Sequence, residues 1–334
     1  MKQYSFKSLF APHFNSFLKM KDAMGFGLAK FKVILKEIDL FLVEKKVFDL
    51  CITQSLIVQW SKTRVNDSRR TLYDKYSVLS QFCKYMCHTG YKCYVPRMPR
   101  RLFENYIPYI FTHEQMSLFL RTCDALVTNS RNMDCILFAL PALYRLLYST
   151  GVRISEAISL KNKDVDFLHQ CIIIKKTKNQ QQRMVPLNPS MLQILKQYKE
   201  ARQKLPLTNT TDPDHYFFIS PSGHALSKGS VYKWFRVILK KCNIPHIGKN
   251  RGPRVHDIRH TNAVHSLMKQ VRSGADIYCV LPIISVFLGH KTIKGTEKYV
   301  RLTQEMYPEI IKLEQSLTSF VFPSQSKMEI DYEK

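Results

Sequence analysis

Four short stretches of the chain gather side chains suited to handling negative charge. The first runs Ser149-Thr-Gly-Val-Arg153-Ile-Ser-Glu156. Gly151 permits a tight helix exit and leaves Arg153 at the mouth of the next helix. A guanidinium there can grip two oxygens of an oxyanion and stays charged at any working pH. The same spacing also allows Arg153 to pair with Glu156 on one helix turn. The second stretch, Lys175-Lys176-Thr-Lys178-Asn-Gln-Gln-Gln-Arg183-Met-Val-Pro-Leu187, reads as a hairpin with lysines at one rim. A rim lysine could protonate a leaving oxygen or simply be a solvated turn. The third is Arg254-Val-His256-Asp-Ile-Arg259-His260. His256 and Arg259, three apart, share a helix face, and an arginine beside an imidazole suits an anionic transition state. Asp257 and His260 lie elsewhere on that helix. Metal binding through His256 and His260 is a weaker alternative, because the Glu of an HExxH site is missing and the arginine would oppose a cation. The fourth is the turn Leu288-Gly289-His290, with Tyr299 nine positions after the histidine. Ionising a tyrosine of ordinary pKa at pH 7 costs roughly 4 kcal/mol. Two arginines and a histidine nearby could offset that cost. Taken alone, Tyr299 reads as a half-buried aromatic at a helix end.

The rest of the chain must position these residues, and its composition limits how. The 334 residues suffice for two domains, and 45% are hydrophobic, enough for a sizeable core. Lys and Arg number 51 against 26 Asp and Glu, a net charge of +25 that suits a polyanionic partner. DNA, RNA and an anionic membrane all satisfy charge; membrane is the weaker choice, since no apolar run approaches the roughly 20 residues of a span. No signal peptide is evident, and the nine scattered cysteines suit reduced thiols in a cytoplasm. Cys83, Cys87, His88 and Cys93 invite a zinc site, but Cys83 falls on an apolar helix face and no second ligand pair follows.

Residues 1–105 read as helical. Leu28, Phe31, Leu35, Ile38 and Leu42 mark one helix face; Thr53 caps a second helix, and Asp67 or Ser68 a third that stops at Gly90. Lys62, Arg64, Arg69, Arg70 and Lys75 form a basic run read as candidate phosphate contacts. Pro96, Pro99 and Pro108 break helical structure over 91–111, where Arg97, Arg100 and Arg101 make an extended basic linker. Thr112 and Gln115 fit a capping box. A core helix over 133–148 is expected to kink at Pro141. Short strands are expected at 165–167, 171–174 and 183–187. Helices follow through Tyr198, over 231–239, over 255–268 and, as an amphipathic segment, over 304–317.

Together the four motifs, in this order, resemble the tyrosine recombinase (phage integrase) family. The motifs span roughly residues 145–301; the N-terminal part matches only in helical character. The resemblance implies a mainly α fold, with a helical DNA core-binding domain over 1–105 and a mostly helical catalytic domain with a small antiparallel sheet over 106–334. It implies site-specific cutting and rejoining of double-stranded DNA through a 3′-phosphotyrosyl link, without metal, ATP or other cofactor. Tyr299 would be the nucleophile, Arg153 and Arg259 would hold the phosphate, and His256 would take the tyrosine proton or orient the phosphate. His290 would hydrogen-bond the phosphate, and Lys178, or alternatively Lys176, would protonate the 5′-oxygen. Glu156 would orient the arginine region. A homotetramer on two DNA sites, a possible accessory directionality factor, a cytoplasmic, nucleoid-associated setting and a simple recombinase of a mobile element or chromosome are further implications. A type IB topoisomerase-like enzyme and a catalytically inactive DNA-binding accessory protein are the alternatives.

Overall fold

The computed structural model describes residues 5–100, 107–127, 136–175, 182–248 and 252–289, together with Thr292, Thr296, Glu297, Tyr299, Val300, Leu302 and Thr303. The chain divides into two compact units, Met1–Tyr106 and Ile107–Lys334.

The first unit contains four helices: α1 (Ala11–Ala23), α2 (Ala29–Glu44), α3 (Gln54–Lys62) and α4 (Arg69–His88). Thr53 caps α3 and Ser68 caps α4, each hydroxyl accepting a backbone N–H three residues on. The apolar stripe of α2 meets an aromatic cluster in which Phe82 of α4 lies 4.5 Å from Phe14 and 5.6 Å from Phe17. Trp60 is buried against the same core. Buried Asp39 accepts the backbone N–H groups of Lys7 and Ser8, which ties the N-terminal stretch to α2.

In the second unit, Thr112 and Gln115 form the expected capping box at the start of α5 (His113–Asp124). Pro141 does not kink a helix. It occupies the first turn of α6 (Leu140–Thr150), after a short 3-10 turn, where its missing N–H costs no hydrogen bond. The short helix α7 (Ile154–Ala157) leads to an antiparallel sheet of β1 (Val165–Asp166), β2 (Cys171–Ile174) and β3 (Arg183–Pro186) in the order β1-β2-β3. Val165 pairs with Ile172, and Ile174 pairs with Arg183. Helices α8 (Pro189–Gln203), α9 (Lys228–Lys241), α10 (Val255–Arg272) and α11 (Ile277–Leu288) complete the described elements. The expected helix over 304–317 lies outside the described residues.

Two of these helices hold the site. Thirteen of the 18 residues of α10 are buried, so it runs through the interior until its last turn, where Lys269, Gln270 and Arg272 are exposed. Its polar residues must therefore find partners inside the protein. Helix α11 carries no clear helical signal in the sequence, because Pro282 and a nearly continuous apolar run hide its period. Asp276 caps it, Pro282 faces outward, and Val280, Leu281, Ile284 and Leu288 bury against α10. Among the described residues no helix is long and apolar enough to cross a membrane.

Candidate active site

The site is built where α6 and α11 end. Gly151 closes α6 and Gly289 closes α11, both left-handed, with φ of 60° and 67°. Contact reinforces the need for glycine at each. A Cβ on Gly151 would lie 2.6 Å from Asn262 Oδ1 and 2.7 Å from a Leu288 methyl. A Cβ on Gly289 would lie 2.9 Å from Nη1 of Arg183. The two helix ends are thus pressed against α10 and β3.

Arg259, 2% exposed, joins the two ends. Its Nη1 donates to the Gly151 carbonyl and its Nη2 to the Leu288 carbonyl, both at 2.6 Å. These are terminal carbonyls of α6 and α11, where a cation is electrostatically favoured. Burial, and then the field of Arg153, pulls the Arg259 guanidinium down to about 10; it remains cationic at neutral pH.

Arg153 follows Gly151 as the N-cap of α7. Glu156 closes the turn: Oε2 accepts the Arg153 backbone N–H at 3.0 Å, and Oε1 accepts Arg153 Nη1 at 2.7 Å. Oε2 also accepts Nη2 of Arg183 at 2.7 Å. Burial favours the neutral form of Glu156, but the bonds from Arg183 and Arg153 outweigh it and hold the carboxyl below its ordinary range.

Tyr299 is buried, 1% exposed, and its hydroxyl lies 2.8 Å from Nδ1 of His260. The His260 ring in turn meets the His256 ring edge-on at 4.9 Å between centroids. Burial pushes the Tyr299 hydroxyl up to about 12; Arg259 and Arg153 pull the other way without overtaking it. In this arrangement, then, the arginines do not offset the ionisation cost as the sequence reading expected, because the hydroxyl is sealed from water.

The structure therefore brings Arg153, His256, Arg259 and Tyr299 into one region of the second unit. Lys176, Lys178 and His290 lie outside the described residues. The neighbouring Lys175 pairs with Asp164 at 2.6 Å. Two residues at the site were not expected there. In the sequence Arg183 is one residue of the hairpin stretch, with no role assigned to it. His260 was placed away from the reactive face, although four residues on a helix bring it beneath His256, a signal the spacing did contain. In the first unit, Lys62, Arg69, Arg70, Arg97 and Arg100 are exposed, and Arg101 lies outside the described residues. Lys75 is different: it is buried, bonding Glu37 at 2.6 Å and Asp67 at 2.8 Å, so its charge is used internally. Arg64 also reaches Glu37, at 3.0 Å. Among the described residues no group of His, Cys, Asp or Glu is arranged to hold a metal ion.

The sequence and the fold have known counterparts. The pattern of the phage integrase family matches residues 110–306. The chain is 25% identical over 309 residues to the integrase/recombinase y4rB of Sinorhizobium fredii, covering 91% of this chain and 96% of that protein. It is 27% identical over 248 residues to the tyrosine recombinase XerC of Chlamydia caviae, covering 72% and 70%. The fold matches the XerH site-specific recombinase solved in a pre-cleavage complex with its difH substrate. That match has a TM-score of 0.62, 20% identity and coverage of 88% and 83%. The chain belongs to the phage integrase family, the tyrosine recombinases, and is an enzyme of site-specific DNA recombination.

Proposed function

We propose that the protein cuts and rejoins double-stranded DNA at specific sites with Tyr299 as the nucleophile. The observation that carries this reading is the Tyr299 hydroxyl held at His260 within the fields of Arg259 and Arg153. The phenolic oxygen would attack the scissile phosphorus, forming a P–O bond to tyrosine as the bond to the 5′-oxygen breaks. The tyrosine proton passes to an imidazole, His260 by proximity or His256 behind it, and Lys178 returns a proton to the departing 5′-oxygen. Arg153 and Arg259 neutralise the non-bridging oxygens, with His290 as a further donor. The phosphotyrosyl link conserves the energy of the broken ester, so rejoining is the reverse attack and needs neither metal nor ATP.

The buried hydroxyl belongs to a resting arrangement. A phosphate can reach it only if the segment carrying Tyr299 opens, so DNA binding and exposure of the nucleophile are coupled. The helical first unit supplies phosphate contacts through Lys62, Arg69, Arg70, Arg97 and Arg100. Four copies on two DNA sites form the working assembly, as the family resemblance implies.

The test is a suicide substrate nicked so that the cleaved strand cannot religate. Wild-type protein should form a covalent adduct, and Tyr299→Phe should form none while retaining DNA affinity. Persistent adduct in that variant would remove Tyr299 from the role. Relaxation of supercoiled plasmid lacking any defined site would favour a topoisomerase-like activity instead.

A further inference from the structure

Arg183 is the charged residue at the site that the cleavage scheme leaves without a task. It lies at the start of β3, with only 11% of its side chain exposed, and it makes two contacts with the machinery. Its guanidinium bonds Glu156, with Nη2 at 2.7 Å from Oε2 and Nη1 at 3.4 Å from Oε1. Its Cδ and Cζ lie so close beneath Gly289 that a Cβ there would meet both at 3.1 Å. Its Nε is buried and finds no acceptor among the described residues.

The sharing of Glu156 explains what Arg183 does. The carboxylate has two oxygens and two guanidinium partners. Arg183 spans both oxygens, with Nη2 close on Oε2 and Nη1 at 3.4 Å from Oε1, and Arg153 gives a single side-chain N–H to Oε1. A lone carboxylate and a lone arginine prefer the bidentate fork. Without Arg183, Glu156 would draw in the whole fork of Arg153, or take up a proton in its buried position. Either outcome moves the edge of Arg153 that has no bond among the described residues. Packing under Gly289 ties the same guanidinium to the end of α11, whose last carbonyls Arg259 also holds.

We propose that Arg183 is a positioning residue for strand cleavage: by occupying Glu156 it keeps one edge of the Arg153 guanidinium available for the scissile phosphate. The inference rests on the phosphotyrosyl reading above.

The experiment compares single-turnover release of the 5′-hydroxyl fragment from two suicide substrates. One has an ordinary scissile phosphate. The other has a methylphosphonate there, which lacks the non-bridging charge that Arg153 would neutralise. For Arg183→Gln, cleavage of the phosphate should slow about 100-fold, the scale of losing one oriented donor, with DNA affinity within about 3-fold of wild type. The methylphosphonate should be cleaved within about 3-fold of the wild-type rate, because the group being positioned no longer has a charge to meet. Arg183→Lys keeps a cation but not the fork, and should show the same selective defect at about 10-fold; it decides the matter if Arg183→Gln does not fold. Equal slowing on both substrates would mean general damage to the site and would overturn the inference. So would wild-type cleavage of the phosphate by either variant. A wild-type protein that releases no fragment from the phosphate substrate would instead sink the phosphotyrosyl reading, and this inference with it.

Discussion

Replacing Gly151 by alanine tests whether the two helix ends are pressed together as tightly as the geometry says. Two costs add. The backbone is left-handed at φ 60°, which costs a residue with a Cβ about 1–2 kcal/mol. The new methyl would also lie 2.6 Å from Asn262 Oδ1 and 2.7 Å from a Leu288 methyl, distances that force a shift. Asn262 cannot move freely, since its Nδ2 bonds the Tyr148 carbonyl at 2.6 Å. Overpacking of this kind costs about 1–3 kcal/mol, giving roughly 2–5 kcal/mol together. For a unit of this size, that lowers Tm by about 4–20 °C. Gly274→Ala is the matched control: its φ is +88°, but no atom lies within 4 Å of a Cβ there, so only the backbone cost applies. The assay is calorimetric unfolding of the full chain. Because a φ of +88° is no easier than 60° for a residue with a Cβ, any excess loss in the Gly151 variant reports the contact. Because the Leu288 and Gly151 carbonyls hold Arg259, the Gly151 variant should also lose strand cleavage more than stability predicts. Equal Tm losses for Gly151→Ala and Gly274→Ala would refute the tight junction.

Acid should loosen the second unit through His265. Burial first, and the stacked His113 at 3.8 Å second, bring its pKa from 6.5 to about 4. A base with a lowered folded pKa stays neutral in the native state while the unfolded chain takes up a proton. Its stabilisation is therefore full above pH 6.5 and declines as pH falls toward 4, by up to about 3 kcal/mol. His265→Gln should flatten the fall in Tm between pH 7 and 4.5, and an unchanged slope would exclude His265 as the cause. In the first unit, Lys75→Met leaves Glu37 and Asp67 without their shared cation, and should cost about 1–3 kcal/mol in chemical denaturation without altering the salt dependence of DNA binding. Arg69→Ala and Arg70→Ala should do the reverse, each reducing the slope of log affinity against log salt by about one in a filter-binding titration. A salt slope reduced by Lys75→Met would show that Lys75 reaches the backbone after all.

How far the fold could be read depended on whether an element carries a one-sided pattern. The faces of α2 and α4, the caps at Thr53 and Thr112 and the three short strands all write their partners into local sequence. Helix α11 does not. It is apolar along its length, and its outward face, with Ile283 and Val286 68% and 75% exposed, has no polar residue to mark the period. Helix α10 is the opposite case, since it buries Asp257, Arg259, Thr261 and Asn262 together with its apolar residues. Polar residues on a helix normally signal solvent, whereas here they signal a buried hydrogen-bonded frame. The charge of Lys75 misled for the same reason: composition counts a cation without showing whether a carboxylate already holds it.

The site was legible as a set of types but not as a set of pairs. Spacing along α10 puts His256 on one face with Arg259, and also with His260, so it cannot choose which imidazole meets a tyrosine some forty residues on. That choice is made by where Tyr299 comes to lie against α10, which is a tertiary fact. Arg183 shows the same limit more sharply. On β3 it reads as one charged residue at the root of a hairpin. Its meaning comes from Glu156, twenty-seven residues earlier, and from the close approach of Gly289. A carboxylate shared by two arginines fixes neither arginine's role in sequence, yet decides how much of each remains for a phosphate. If that division is what tunes the site, cleavage by Glu156→Gln should fall on an ordinary phosphate and recover on a methylphosphonate, in parallel with Arg183→Gln. A double variant no slower than either single one would place Arg183, Glu156 and Arg153 on one line of action, whereas additive losses would separate them.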